Sequence, residues 1–397
     1  KTEEKSMNKK IYLDNAATTK IRKEVVDEMM KYFMEYYGNP SSGIYELGRT
    51  SKEAIEKARK TVATFINAED REIFFTSGGT ESDNWAIKGV AFANKDKGKH
   101  IITTKIEHHA VLHTCEYLKK FGFETTYLNV DEYGMVDLEE LKNSIRPDTI
   151  LISVMYANNE VGTIQPIEEI GKIAKERKII FHTDAVQALG GVRIDVKKEN
   201  IDLMSMSAHK VHGPKGVGAL YIKKGVKLDN FMHGGAQERN KRAGTESVQN
   251  IVGFGKAVEL MSIELDEKVT KLISLRDRFI NGIKANIDDV HLNGHPSKRL
   301  PNNVNFSYKY IEGESILLWL DISGISASSG SACTSGSLDP SHVLLATGLD
   351  HGTAHGSIRF TISDETTEEE IDYVVGQMKE IVQKLRNMSP LYNVNNK

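Results

Sequence analysis

The sequence predicts an α/β fold: a mainly parallel sheet covered by helices on both faces, followed by a smaller α+β part. The first observation is that short apolar runs alternate with longer amphipathic ones from about residue 70 to residue 225. Strands that alternate with helices in this way form parallel sheets. The second observation is a change of pattern after about residue 260. The third is the length of 397 residues, which is too great for one simple core and predicts two domains.

The predicted elements follow from these patterns. Five apolar runs are predicted strands: Glu72–Ser77, His100–Ile106, Thr149–Ala157, Ile179–Val186 and Leu203–Ser207. An amphipathic helix is predicted over Pro166–Arg177. The later part is predicted to hold a helix over Val258–Ala285, a strand over Pro301–Tyr308, a helix around Glu314–Leu320 and a strand over Ser357–Ser363. A final helix begins with the capping-box spacing Thr367-x-x-Glu370, and we interpret its apolar stripe as core packing.

Composition excludes several classes of protein. A net charge of −3 gives no general attraction to nucleic acid or to an anionic membrane, and no apolar run is long enough to span one. The first ten residues are charged and lack the apolar core of a signal peptide. Cys115 and Cys333 are the two cysteines, too few for a disulfide framework. We therefore expect a cytoplasmic protein.

Three segments at predicted strand ends carry chemistry. Lys210 follows an apolar strand, where desolvation lowers the pKa of an amine and suits Schiff-base formation, although most lysines are solvated surface charges. The segment Phe75–Asn84 brings Gly78 and Gly79 to a strand-to-helix junction, which is either a phosphate cradle or a plain capped helix start. Asp184 ends an apolar strand, and its carboxylate requires a cationic partner such as a protonated pyridine nitrogen.

Cys333 lies in a run of small and hydroxyl-bearing residues, Ser328–Gly336. Nothing bulky near it in sequence would bury its thiol, and the glycines allow the loop to move. Such a cysteine is either a reactive thiol or a loop residue without a role. Cys115 falls within a predicted amphipathic helix, His109–Lys120, and we interpret it as structural.

Seven motifs in a fixed order resemble the NifS/IscS family of cysteine desulfurases, within the class V group of fold-type I pyridoxal phosphate enzymes. The resemblance runs from Tyr12–Thr19 to Ile358–Phe360, and the motifs are Thr76–Ser82, Glu107–Val111, Asn158–Gly162, His182–Gln187, Ser207–Lys210, Arg242–Thr245 and Ser329–Cys333. It implies a three-layer α/β fold, with a large domain over residues 16–258 and a small α+β domain over residues 259–397. Residues 7–15 are expected to pack near the small domain.

The resemblance implies pyridoxal 5'-phosphate as the cofactor. The resemblance also implies three catalytic residues. Lys210 is implied to bind the cofactor covalently and to move the substrate Cα proton. His108 is implied to stack on the cofactor ring, and Cys333 to accept the sulfur. The remaining cofactor contacts are implied to be Gly79, Thr80, Ser207 and His209 at the phosphate, Thr245 from a second protomer, Asp184 at the ring nitrogen, Gln187 at the phenolic oxygen, and Asn159. Asn159 and Arg359 are implied to bind the substrate carboxylate, and the planar fork of arginine suits that role independently.

The implied reaction takes sulfur from L-cysteine, giving L-alanine and a persulfide on Cys333. The persulfide would pass to an iron–sulfur scaffold protein or to another acceptor for thiolation. A homodimer is implied, and no resident metal is expected, with Cys333 as the candidate ligand for a cluster in transit. Three other functions remain open: a selenocysteine lyase, a class V aminotransferase, and a non-catalytic sulfur carrier. The last is disfavoured because a carrier would need neither Asp184 nor Lys210.

Overall fold

The computed structural model describes residues 10–329 and 340–395. Its strands, in chain order, are β1 (Ile11–Tyr12), β2 (Ile73–Thr76), β3 (His100–Thr104), β4 (Glu124–Leu128), β5 (Thr149–Ser153), β6 (Ile180–Asp184), β7 (Leu203–Ser207), β8 (Gly218–Ile222), β9 (Val290–Leu292), β10 (Asn303–Tyr308), β11 (Ile325–Ser326) and β12 (Ser357–Thr361).

The helices are α1 (Lys23–Met34), α2 (Glu46–Phe65), α3 (Gly79–Asn94), α4 (His109–Leu118), α5 (Leu138–Ser144), α6 (Ile167–Glu176), α7 (Gln237–Asn240), α8 (Val248–Asn286), α9 (Gly313–Ile322), α10 (His342–Ala346), α11 (His351–His355), α12 (Glu368–Met388) and α13 (Pro390–Asn395). Across the described ranges, no helix combines the length and the apolar character needed to cross a membrane.

The large sheet has seven strands in the order β2-β8-β7-β6-β5-β3-β4. Only β8 runs antiparallel to its neighbours, so the predicted mainly parallel sheet is confirmed. Successive strand residues point to opposite faces, and here they enter different cores: Phe75 packs in one and Phe74 in the other. Helices α2, α6 and α8 line the first core and α3 and α4 the second, which gives the predicted three layers.

A second, smaller sheet is antiparallel, in the order β12-β10-β9. Its core combines Ile11 and Leu13 from the start of the chain with α8, α9 and α12. Strand β1 pairs with β11 in parallel. The predicted capping box of the last helix is present, since Thr367 accepts from the backbone of Glu370 while the Glu370 side chain accepts from Thr367.

The long helix begins ten residues earlier than predicted, at Val248 instead of Val258. Gly253 and Gly255 weakened the helical pattern there. Both glycines serve packing, because a Cβ on Gly253 would lie 2.6 Å from Met29 Sδ and one on Gly255 would lie 2.6 Å from Ala58 Cβ. The division of the chain between residues 258 and 259 falls inside α8 and remains a proposal.

The topology of the large sheet indicates where a ligand would bind. The chain leaves β3 toward β4 on one side, whereas β5, β6 and β7 follow on the other, so the strand order reverses between β3 and β5. Ligands of open α/β sheets bind beyond the carboxyl ends of the strands near such a reversal. The loops that follow β3, β5, β6 and β7 converge there.

Candidate active site

A cavity of about 340 Å³ lies at this carboxyl edge. Most of the residues predicted for the site line it: Gly79, Thr80, His108, Asn159, Asp184, Gln187, Ser207, His209, Lys210 and Arg359. Two predicted residues are not among them. Thr245 is exposed in the segment before α8, and Cys333 lies outside the described residues.

One wall of the cavity is the junction of β2 and α3. The N–H groups of the first turn of α3 point out of the helix end without intrahelical acceptors, and the helix dipole adds partial positive charge. A Cβ on Gly79 would lie only 2.7 Å from Val186 Cγ2, so glycine permits this close approach of the backbone. Ser207 lies beside it, with its Oγ 3.9 Å from where a Cβ on Gly78 would be. The geometry favours a phosphate cradle.

His209 and Lys210 follow β7 in a single turn of 3-10 helix. His209 Nδ1 is 3.1 Å from Thr18 Oγ1, and burial lowers the pKa of His209 to about 4, with a further contribution from Lys210, so the ring is neutral at pH 7. Lys210 Nζ donates to the carbonyl oxygens of Ala16, at 2.5 Å, and Ala17, at 2.8 Å. The N-terminal segment thus holds the amine at the cavity wall.

Asp184 ends β6 with 6% of its surface exposed. Its Oδ1 accepts from Val186 N at 2.9 Å. Burial raises the pKa of Asp184, while His108, the Val186 N–H and Lys210 oppose that rise. Gln187 Nε2 donates to Ala16 O at 2.9 Å. A carboxylate in this position would be stabilised by a bound cationic group.

His108 caps α4 with its side chain, because its Nδ1 accepts from Ala110 N at 3.1 Å. In the neutral ring, the proton is therefore assigned to Nε2. Burial lowers the pKa of His108, and Asp184 opposes this shift. The cap fixes the orientation of the ring at the cavity wall.

Arg359 projects from β12 and is 4% exposed. It donates to Asn159 O and to Asp14 Oδ1, each at 2.9 Å. Its Nε is buried and has no hydrogen-bond partner within residues 10–329 and 340–395. An arginine beside an open cavity with unused donor capacity suits the binding of a carboxylate.

Both described ends of the segment that contains Cys333 lie close to the cavity. Ser328 lines it and exchanges two backbone hydrogen bonds with Arg359, of 3.2 and 2.6 Å. On the other side, Ser341 caps α10 and donates to Glu160, while His342 Nε2 is 3.0 Å from the carbonyl oxygen of Glu107, next to His108. Cys115, in contrast, is fully buried in α4, and burial raises the pKa of its thiol to about 12.

Three polar residues that line the cavity were not predicted as site residues: Asp14, Asp83 and Ser328. Asp14 and Asp83 fall within segments singled out by their motifs, Tyr12–Thr19 and Phe75–Asn84. The sequence carries no local signal that these side chains reach the cavity. Asp14 meets Arg359 across 345 positions of the chain, and no local pattern reports such a contact.

The residues present fit pyridoxal phosphate. Its phosphate requires N–H donors and small neighbours, which the start of α3 supplies at Gly79. Its aldehyde requires a primary amine, which Lys210 offers, and its ring nitrogen requires a carboxylate, which Asp184 offers. Arg359 lines the cavity and uses one donor of Nη1 and one of Nη2 within the chain, which leaves guanidinium donors for a substrate carboxylate.

Comparisons with known proteins agree with this geometry. Residues 11–374 match the family model for aminotransferase class-V. The cysteine desulfurase IscS of Methanosarcina thermophila is 64% identical over 97% of this chain and 95% of its own length. Among solved structures, a NifS-like protein is 41% identical, covers 95% of this chain and 100% of its own, and has a TM-score of 0.89. The structure described as SspA in complex with cysteine is 36% identical, covers 90% and 100% of the two chains, and has a TM-score of 0.81.

The match extends over nearly the whole chain at high identity, as the resemblance of the seven motifs implied. The chain belongs to the class V aminotransferases and, within them, to the NifS/IscS cysteine desulfurases, pyridoxal phosphate enzymes that release sulfur from L-cysteine.

Proposed function

We propose that Lys210, His108, Asp184, Arg359 and Cys333 carry out the desulfuration of L-cysteine in this cavity. The observation that carries the proposal is convergence: the first four line one cavity, Ser328 before the Cys333 segment lines it too, and His342 after that segment contacts Glu107, the residue next to His108. Alanine and a persulfide on Cys333 are the proposed products.

The proposed cofactor contacts follow from the chemistry of each wall. Gly79, Thr80, Ser207 and His209 would hold the phosphate, Asp184 the ring nitrogen and Gln187 the phenolic oxygen, with His108 against the ring and Asn159 nearby. When bound, pyridoxal phosphate supplies an electron sink that labilises bonds at the amino acid. The neutral His209 would then donate to a phosphate oxygen without adding a charge.

Substrate binding and proton transfer are assigned to three residues. Arg359, supported by Asn159, would bind the substrate carboxylate through the guanidinium donors that Asn159 O and Asp14 Oδ1 leave unused. The carbonyl oxygens of Ala16 and Ala17 hold the Lys210 amine at the cavity, where it would move the Cα proton. His108 would offer its Nε2 proton, since its Nδ1 is engaged as the cap of α4.

Sulfur transfer is assigned to Cys333. Its thiolate would bond to the substrate sulfur as the Cβ–S bond breaks. The electron pair of that bond stays with the carbon skeleton, which takes up a proton and leaves as alanine. The persulfide is then cleared by a thiol reductant or by an acceptor protein. Cys115 is unsuited to this role because its thiol is buried and protonated.

We further propose a homodimer that delivers sulfur, in the cytoplasm, to an iron–sulfur scaffold protein or to another acceptor for thiolation. Thr245 supports the dimer, because this residue is exposed and does not reach the cavity of its own protomer. A reducing compartment is proposed because the reaction needs a free thiol at Cys333. The name of the Methanosarcina relative is consistent with delivery to iron–sulfur assembly.

The first experiment measures alanine and sulfide released from L-cysteine in the presence of a thiol reductant, for wild type, Cys333→Ala and Cys115→Ala. We expect activity in wild type and in Cys115→Ala, and loss of about 100-fold or more in Cys333→Ala, which lacks the nucleophile. Two results together would instead indicate a selenocysteine lyase: wild type prefers selenocysteine to cysteine, and Cys333→Ala still releases alanine from selenocysteine. Amino-group transfer to a 2-oxo acid would indicate an aminotransferase.

A further inference from the structure

We propose that Asp83 is a positioning residue for Asp184, to whose carboxylate the neutral Asp83 carboxyl donates a hydrogen bond, so that the two buried groups share one proton and one negative charge. The inference deepens the proposed function, since it rests on Asp184 as the partner of the cofactor ring nitrogen. Asp83 acts through Asp184 and makes no proposed contact with substrate.

The placement of the two carboxyl groups carries the proposal. Asp83 lies in the second turn of α3, which packs against β6 and β7, and Asp184 ends β6. Both line the cavity, and their exposed fractions are only 1% and 6%. Their side chains interact directly through a hydrogen bond. Two carboxylates so deeply buried and in contact cannot both remain ionised, because each raises the cost of charge on the other.

His182 is the imidazole that approaches Asp83 within the described residues, with its Nε2 3.6 Å from Asp83 Oδ1, and it does not take the proton. Both nitrogens of that ring are occupied, Nδ1 by Ser153 Oγ at 2.8 Å and Nε2 by Ser205 Oγ at 3.0 Å. Burial lowers the pKa of His182 to about 3, so the imidazole is neutral at any physiological pH.

The charges around the pair decide which carboxyl group keeps the proton. Asp184 faces His108, the Val186 N–H and Lys210, all of which favour its anion. For Asp83, burial and the charge of Asp184 are the largest effects and both raise its pKa, whereas the Ser205 hydroxyl opposes them. The proton therefore stays on Asp83. Oδ1 of Asp83 is buried and has no hydrogen-bond partner in the described part of the chain, which costs far less for a neutral carboxyl group than for a carboxylate.

The arrangement has a consequence for the cofactor. A single shared proton leaves the pair with one negative charge, which matches the one positive charge of a pyridinium nitrogen. The hydrogen bond also fixes one side of the Asp184 carboxylate, so its orientation toward the cavity does not depend on the bound cofactor. Preorganised charge of this kind avoids reorganisation when the ligand binds.

Two measurements on the full-length protein test the proposal. Infrared difference spectroscopy at neutral pH compares wild type with Asp83→Asn, and Glu107→Gln serves as a matched control, since Glu107 is a second buried carboxyl whose pKa is raised, to about 8. Titration of cofactor-stripped protein with pyridoxal phosphate gives the dissociation constant for wild type, Asp83→Ala and Asp83→Asn. The amide of Asp83→Asn keeps a donor toward Asp184, whereas Asp83→Ala removes it.

We expect a protonated-carboxyl band in wild type that Asp83→Asn removes and that differs from the band removed by Glu107→Gln. The dissociation constant should rise about 10- to 100-fold in Asp83→Ala, the range for a lost hydrogen bond to a charged group, and Asp83→Asn should recover most of that loss. The proposal is overturned if no band belongs to Asp83 or if both variants weaken binding equally. Failure of wild type to bind pyridoxal phosphate would refute the proposed function, whereas the infrared result would still decide the state of Asp83.

Discussion

At the scale of single residues, the proposed site depends on two side chains at the ends of adjacent parallel strands. Lys210 lies just past β7 and Asp184 ends β6, with Asp184 paired in register to Ser205. Adjacent parallel strands lie about 4.8 Å apart, so these positions bring the amine and the carboxylate to one cavity although 26 positions separate them in sequence. Both residues could be predicted as candidates from the sequence because each follows or ends an apolar strand, and ligands of parallel sheets bind at the carboxyl ends of the strands.

Replacing Lys210 by alanine should abolish the visible absorbance of the bound cofactor and reduce turnover by at least about 1000-fold, because both the covalent link and the proton carrier are lost. Lys215→Ala is the matched control, since Lys215 is exposed and does not line the cavity. Absorbance spectra of the purified variants and alanine release measure the two effects. An unchanged spectrum in Lys210→Ala would exclude this lysine as the point of attachment.

At the scale of elements, the short helix α10 anchors the chain that leaves the Cys333 segment. Ser341 caps the helix and donates to the buried carboxyl of Glu160, which follows Asn159 in sequence. The carbonyl oxygen of Glu160 also accepts from Asn303 and Asn305 on β10, at 3.1 and 2.9 Å. Glu160 thus joins the cavity wall at Asn159 to the small sheet and to α10.

This anchor predicts a pH dependence of stability. Burial raises the pKa of Glu160 from its ordinary value of 4.5 to about 7, so the folded state holds a proton that the unfolded state releases. The stabilisation is complete below about pH 4.5 and is lost as the pH rises through about 7. From pH 5 to pH 8, wild type should lose up to about 3 kcal/mol in unfolding free energy relative to Glu160→Gln, at 1.36 kcal/mol for each pKa unit. Urea unfolding at both values measures it, and parallel losses in the two proteins would contradict it.

Some strands of the large sheet could be predicted from the sequence and others could not. Apolar runs located β2, β3, β5, β6 and β7 to within a few residues, because strands buried on both faces leave continuous apolar patterns. Strand β4 was missed since its residues Glu124–Leu128 are largely polar and half-exposed, and β8 was missed since it begins at Gly218. The anchoring of Lys210 by Ala16 and Ala17 could not be predicted, because backbone acceptors carry no sequence signature.

At the scale of the whole molecule, the proposed site is incomplete within one chain. The segment that holds Thr245 is tied to the start of α3 by an ion pair, with Arg242 Nε and Nη2 at 2.8 and 3.0 Å from the Glu81 carboxylate. Thr245 itself is exposed and does not line the cavity. A two-fold dimer gives each exposed segment an equivalent site on the other protomer to complete. The proposed function therefore requires Thr245 to act on the partner's cofactor phosphate.

Complementation between inactive variants tests this arrangement. Lys210→Ala lacks the amine, and Thr245→Asp brings a negative charge toward the phosphate, so each homodimer should be inactive or nearly so. In a mixed dimer, one of the two sites combines an intact Lys210 with the intact Thr245 of the other protomer. Co-refolding equal amounts should restore about a quarter of wild-type alanine release, because half of the dimers are mixed and each has one intact site. If Thr245 acted within its own chain, every site would carry a defect, mixing would restore nothing, and sedimentation would reveal whether a dimer forms at all.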